Sequence, residues 1–169
     1  MYHPWRVLRD HFPDWKIRWA PVHGRLGTTT WHDKTITLDP DQDQAQRRST
    51  LAHELLHVER GPFPVEVEAL EERLVDEQAA RRLIPFERLA AAMVWAYDVR
   101  ELAHELWVDV EMAQIRLANL TEEEGRELER LLDEAEIHFP REEYEDVEWS
   151  DEGLVWSEEA GECVERQVR

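Results

Sequence analysis

The pattern of apolar and polar positions divides the chain into a short mixed N-terminal part and a longer helical part. Residues 3–11 carry apolar side chains at helical spacing ahead of Pro13, which predicts a first short helix. Residues 16–20, 26–31 and 35–38 are instead rich in β-branched and aromatic side chains and predict three strands. His32, Asp33 and Lys34 suit a hairpin turn between the last two. Asp39-Pro40 ends the third strand, and Asp41 or Asp43 can cap a helix running to about Glu59. Gly61 and Pro62 stop that helix, and Pro64 fits the first turn of the next, which reaches about Leu83. After Ile84-Pro85 a third helix is predicted through about Ala96. Asp98 with Glu101, and Thr121 with Glu124, have the spacing of capping boxes, and Asp109 can cap a short helix between them. From Thr121 a helix reads to about Ile137, with Leu128, Leu131, Leu132 and Ala135 on one face.

Beyond Pro140 the chain is acidic and irregular, with Trp149 and Trp156 set among carboxylates. That composition predicts a solvated, largely disordered tail; an arm that docks on a partner or on the domain itself is the other reading. The whole is an α+β protein in three parts. Residues 1–97 form a core in which a small N-terminal sheet packs on a helix, 98–138 a helical module, and 139–169 the acidic tail.

Charge changes the picture most at the C-terminal end. Residues 1–121 carry 15 basic and 20 acidic side chains, and residues 122–169 carry 5 and 19, which places −14 of the formal −19 in the last 48 positions. Such a surface repels phosphate backbones, so no direct nucleic-acid binding is expected. The single cysteine, Cys163, excludes an internal disulfide and a thiolate metal cage and fits a reducing compartment. No secretion signal is visible at the N-terminus, and the longest apolar run, residues 89–97, is too short to cross a bilayer. A cytoplasmic protein with no membrane partner is expected.

The chemistry lies in His53-Glu54-Leu55-Leu56-His57. On a helix, positions i and i+4 face the same way, so two neutral imidazole nitrogens converge as a tetrahedral zinc ion requires, with Glu54 beside them. The bland alternative is two surface histidines on an amphipathic helix. Leu51-Ala52-His53-Glu54-Leu55 has an echo in Leu102-Ala103-His104-Glu105-Leu106, but Val108 stands where the second histidine would be, and His104 reads as an ordinary helical residue. Two histidines leave zinc one protein ligand short. The helix after Pro64 offers Glu66, Glu68, Glu71, Glu72, Asp76 and Glu77. Glu72 and Asp76 are one turn apart, so Glu72 can coordinate the metal while Asp76 accepts the spare N–H of a ligand histidine.

Two blocks of the chain resemble the ImmA/IrrE (DUF955) metallopeptidases: residues 48–57, ending in His53-Glu54-Leu55-Leu56-His57, and residues 72–85. Members follow the HExxH helix with E-x-x-A-[DN]-x-F-A-x-x-L-L-x-P, and Glu72, Asp76, Ala79, Leu83 and Pro85 fall in register. Val75, Gln78 and Arg82 depart from it at packing positions. The resemblance covers about residues 15–121. It implies a zincin-like core, Glu72 as third zinc ligand, and a helix-turn-helix-like module after the core. Residues 101–109 and 115–120 resemble that module, but its would-be recognition helix offers Glu111 and one base, Arg116, which suits packing better than DNA.

The resemblance also implies the role: a zinc-dependent endopeptidase that cuts a regulatory protein, a DNA-binding repressor of a phage or mobile element, to relieve repression. His53, His57 and Glu72 would hold Zn²⁺ with a position left for water, whose pKa falls to about 7, and Glu54 would take its proton and pass it to the leaving amine. The oxyanion donor is unknown; Tyr97, His32 and His23 are candidates. Residues 35–38 are expected at a sheet edge to which an extended substrate adds, and the acidic tail is expected to attract a repressor's basic face. The competing reading is a non-catalytic zinc protein that neutralises a repressor or toxin by binding it. A DNA-binding regulator built on residues 101–120 is the third.

Overall fold

The computed structural model describes residues 2–138, 154–157 and 162–165. They comprise α1 (Pro4–His11), β1 (Lys16–Trp19), β2 (Gly27–Thr30), β3 (Thr35–Leu38), α2 (Gln44–Arg60), a single 3-10 turn (Val65–Val67), α3 (Glu68–Leu83), α4 (Phe86–Met93), α5 (Val99–Leu106), α6 (Val110–Ala118) and α7 (Glu122–His138). Two further strands, β4 (Leu154–Ser157) and β5 (Glu162–Glu165), pair antiparallel. Residues 1–138 form one compact unit and 139–169 a second. The disorder expected of the tail concerns residues that, apart from those two strands, lie outside the described ones. The architecture is α+β, and none of the described helices is long and apolar enough to cross a membrane.

The sheet corrects one expectation. Its order is β1-β3-β2, with β3 parallel to β1 and antiparallel to β2, so residues 35–38 form the central strand and not an edge. The reason is burial. Ile36 and Leu38 are fully enclosed and Thr37 nearly so, its hydroxyl accepting from Arg18 Nε at 3.2 Å. The side chains of β1 are mostly exposed, and β2 is Gly-Thr-Thr-Thr. Only β3 has the apolar content to sit between two neighbours. The edge nearest α2 is β2.

Helix α2 is the axis of the first unit. Asp43 caps it through a complete capping box with Gln46, and Gly61, at φ 82°, ends it with its amide on His57 O at 2.9 Å. A side chain at position 61 would be strained in that left-handed region. One face of α2, Leu51 and Leu55, packs on Ile36, Leu38 and Leu8. The neighbouring face, Ala52 and Leu56, packs on Val75, Ala79 and Leu83 of α3 and on Leu102, Leu106 and Ala113 beyond it. Each fully buried leucine or isoleucine contributes about 1.5–3 kcal/mol, so α2 is held from two sides by several times the worth of any one contact. Two bidentate ion pairs, Arg60–Glu71 and Arg82–Glu59, set its position against α3.

The helices after α3 join the same core. Arg48, buried in α2, donates to the carbonyl oxygens of Trp107 (2.7 Å), Tyr2 (3.3 Å) and Leu83 (3.4 Å) and lies over the Trp107 ring. It therefore satisfies carbonyls at the C-terminal ends of α3 and α5, which lack helical partners, and ties the chain just before α1 to them. Trp107 holds the left-handed conformation that turns α5 into α6. Arg116 is also buried: Nε donates to Ile84 O at 2.9 Å, and its other nitrogens pair with both oxygens of Glu124. Glu124 completes the capping box with Thr121 that opens α7. The single base of α6 is thus packed inside and not displayed.

Candidate metal centre

The site forms where α2, α3, β2 and the start of α6 enclose a cavity of about 610 Å³. His53 and His57 sit one turn apart on α2, and Glu72 and Asp76 one turn apart on α3. Because α2 and α3 pack face to face, the structure brings three ligand atoms together. His53 Nε2 and His57 Nε2 are 3.0 Å apart, and Glu72 Oε2 lies 3.2 Å from the first and 3.5 Å from the second. A tetrahedral zinc with bonds of about 2.0–2.1 Å has ligand atoms about 3.3–3.4 Å apart, so the three residues fit such an ion. Among the described residues they are the group of histidine, cysteine and carboxylate side chains with this convergence.

Asp76 Oδ1 lies 2.8 Å from His53 Nδ1. A carboxylate only accepts, so Nδ1 carries a proton, and in the neutral ring that an ion requires Nε2 turns its lone pair to the centre. Burial disfavours a charged His53 ring, yet the bonds to Asp76 and Glu72 outweigh it and push the pKa up to about 10. His57 shifts the other way: burial and the neighbouring His53 charge lower it. Its Nδ1 is buried without a hydrogen-bond partner, while Trp31 meets the ring at right angles and Phe63 lies tilted against it. The His53 bond holds the Glu72 carboxyl below the usual range.

Glu54 points from the same helix toward β2. Thr29 Oγ1 donates to its Oε2 at 2.7 Å, and burial pushes the carboxyl up against the opposing pull of His53 and that hydroxyl. A carboxyl raised by burial suits a group that accepts a proton near neutral pH. Gly27 makes this approach possible, since a Cβ there would meet Thr50 Cγ2 at 2.6 Å and Glu54 Oε1 at 2.9 Å. Gln42 secures the strand, donating to Leu26 O at 2.7 Å and accepting from Thr50 Oγ1 at 2.6 Å.

Glu66, Glu71 and Glu77, the other carboxylates that α3 and the turn before it offered, lie outside the cleft lining, and Glu71 is engaged by Arg60. Glu68 lines the cleft but pairs with Arg25 at 3.1 Å. Tyr97, His32 and His23 are exposed and do not line it. Sequence reasoning missed Gly27, Thr29, Trp31 and Phe63. Gly27 and Thr29 sit at alternate positions of β2 and Trp31 directly follows it, so the two-residue period of 27–31 was the available signal; Phe63 had none.

The family model Peptidase_M78, described as the IrrE N-terminal-like domain, matches residues 15–118. No curated protein and no solved structure matches the chain.

Proposed function

Since the chain belongs to the Peptidase_M78 (ImmA/IrrE) family of metal-dependent peptidases, we propose that it is a cytoplasmic zinc endopeptidase with a zincin-like core that cuts a DNA-binding repressor. The observation that carries this reading is the convergence of His53, His57 and Glu72 beside the buried carboxylate of Glu54 in one cleft.

In this reading His53, His57 and Glu72 hold the ion. Zinc in such a site is a Lewis acid that lowers the pKa of water to about 7 and polarises a carbonyl. Asp76 keeps the proton of His53 on Nδ1. Glu54, oriented by Thr29, accepts a proton from water and returns one to the departing amine. Trp31 and Phe63 shield His57 from solvent. The outer edge of β2 lines the cleft and is unpaired among the described residues, so an extended substrate adds there, in place of the β3 edge expected from sequence. The family supports the repressor of a phage or mobile element as substrate, and the acidic C-terminal 48 residues complement the basic face of such a protein.

The test is incubation of the metal-loaded protein with DNA-binding repressors of phages and mobile elements, with fragments read by mass spectrometry. Glu54→Gln is expected to keep the metal and stop cleavage. A Glu54→Gln protein that still relieves repression as well as the parent would show that binding, not hydrolysis, is the activity.

A further inference from the structure

We propose that Glu111 selects substrates carrying an arginine or lysine within about two residues of the scissile bond, a specificity that rests on the peptidase reading above. Along α2 the cleft is ordered: Ser49 and Thr50 at one end, His53 and Glu54 in the middle, His57 at the other. The start of α6 stands at the Ser49 end, where the Asp109 amide donates to Ser49 Oγ at 3.3 Å. One helical turn, about 6 Å, separates Ser49 from His53. An extended peptide covers that in about two residues.

The charge at this end has a single free carrier. Six carboxylates line the cleft, and five are engaged. Glu54 is held by Thr29, Glu72 and Asp76 by His53, Glu68 by Arg25, and Asp109 by the Met112 amide it caps. Glu111 is exposed and makes no hydrogen bond or ion pair among the described residues. Ile115 lies one turn along the same face of α6, and Met112 packs beneath it. That is the surface a long basic side chain uses: an apolar bed for the methylene stem and a carboxylate for the head.

The experiment uses the full chain loaded with zinc and a mixed-sequence peptide library read by mass spectrometry. A cleaved peptide is then remade with Arg, Gln or Glu at each of the two positions on either side of the cut. Binding of the same peptides to Glu54→Gln protein, followed by fluorescence anisotropy, gives a readout apart from turnover. Replacing Arg by Gln on one side is expected to lower both cleavage and affinity about three- to five-fold at low salt, and less at high salt. Glu111→Gln removes this preference, and Glu111→Lys turns it toward the Glu peptide. As an exposed residue without partners, Glu111 can be changed with the Tm intact, which confirms that the variants fold. A parent that cuts its peptides without regard to charge, or a Glu111→Lys protein with the parent's preference, overturns the proposal alone. A protein that cuts no peptide overturns the peptidase reading as well.

Discussion

Replacing Gly27 with alanine puts a methyl group 2.6 Å from Thr50 Cγ2, 2.9 Å from Glu54 Oε1 and 3.1 Å from Glu54 Cγ. Carbon atoms rest about 3.5–4.0 Å apart, so the first contact is short by about 1 Å. Neither neighbour can swing away cheaply. Thr50 is buried with its hydroxyl on Gln42, and Glu54 is buried with its carboxylate on Thr29. Overpacking of this kind costs about 1–3 kcal/mol, which in a chain of this length lowers Tm by about 2–12 °C. A base displaced by about 1 Å costs about a hundredfold in rate. The atoms that face the ion lie on the other side, toward α3, so metal affinity should stay close to the parent's.

The assay has three arms: thermal unfolding, zinc affinity by competition with a chelating dye, and cleavage of a library-selected peptide. Adding Thr50→Ser to Gly27→Ala removes the methyl in closest contact but keeps the hydroxyl that serves Gln42. Part of the lost stability should return while the rate stays low, because the clash with Glu54 remains. A Gly27→Ala protein with the parent's Tm and a rate within twofold would refute the claim that this close approach positions Glu54.

Asp76→Asn should weaken zinc binding about 10- to 100-fold, as loss of a ligand's supporting hydrogen bond does, in the same dye competition. Zinc at 1,000 times its Kd should stabilise the protein by about 4 kcal/mol, so chelation should lower Tm, and Glu72→Gln should largely abolish that difference. Arg48→Met leaves buried carbonyls without a donor and should cost about 3 kcal/mol in denaturant melts; Arg48→Lys should recover only part, lacking the planar fork that reaches three directions. Hydrogen bonds from Arg116 hold the Glu124 carboxyl well below the usual carboxylate range, down to about 2. A depressed carboxyl contributes fully above its unfolded pKa and loses that contribution as pH falls through its folded one. The stability gap between parent and Glu124→Gln should therefore be constant above about pH 5, on the order of 2 kcal/mol, and close toward pH 2.

The two histidines and Glu54 were legible because helical spacing alone aims i and i+4 the same way. Glu72 was less so: α3 carries several acids, and only the packing of α2 on α3 decides which one meets the imidazoles. Strand order was not legible, since a four-residue strand shows two side chains to each face, and the burial of Ile36 and Leu38 fits an edge or a centre equally well. The buried bonding of Arg48 and Arg116 was not legible, since nothing local shows it; their partners are carbonyls and a carboxylate brought from elsewhere in the chain. The predicted caps at Asp109 and Thr121 formed. That at Asp98 formed by half, with Glu101 bonding the Tyr97 amide instead. The helix begun at Phe86 stops at Met93, three residues short of the predicted end.

One wall of the cleft comes from α6, which lies beyond residue 97, whereas every ligand atom comes from before residue 84. The parts that hold an ion and the parts that recognise a sequence are therefore contributed by successive stretches of chain. Drift at the exposed positions of α6 can change which protein is cut while the hydrolytic apparatus stays as it was, so long as the buried side chains that α5 and α6 lend to the core of α2 and α3 are kept.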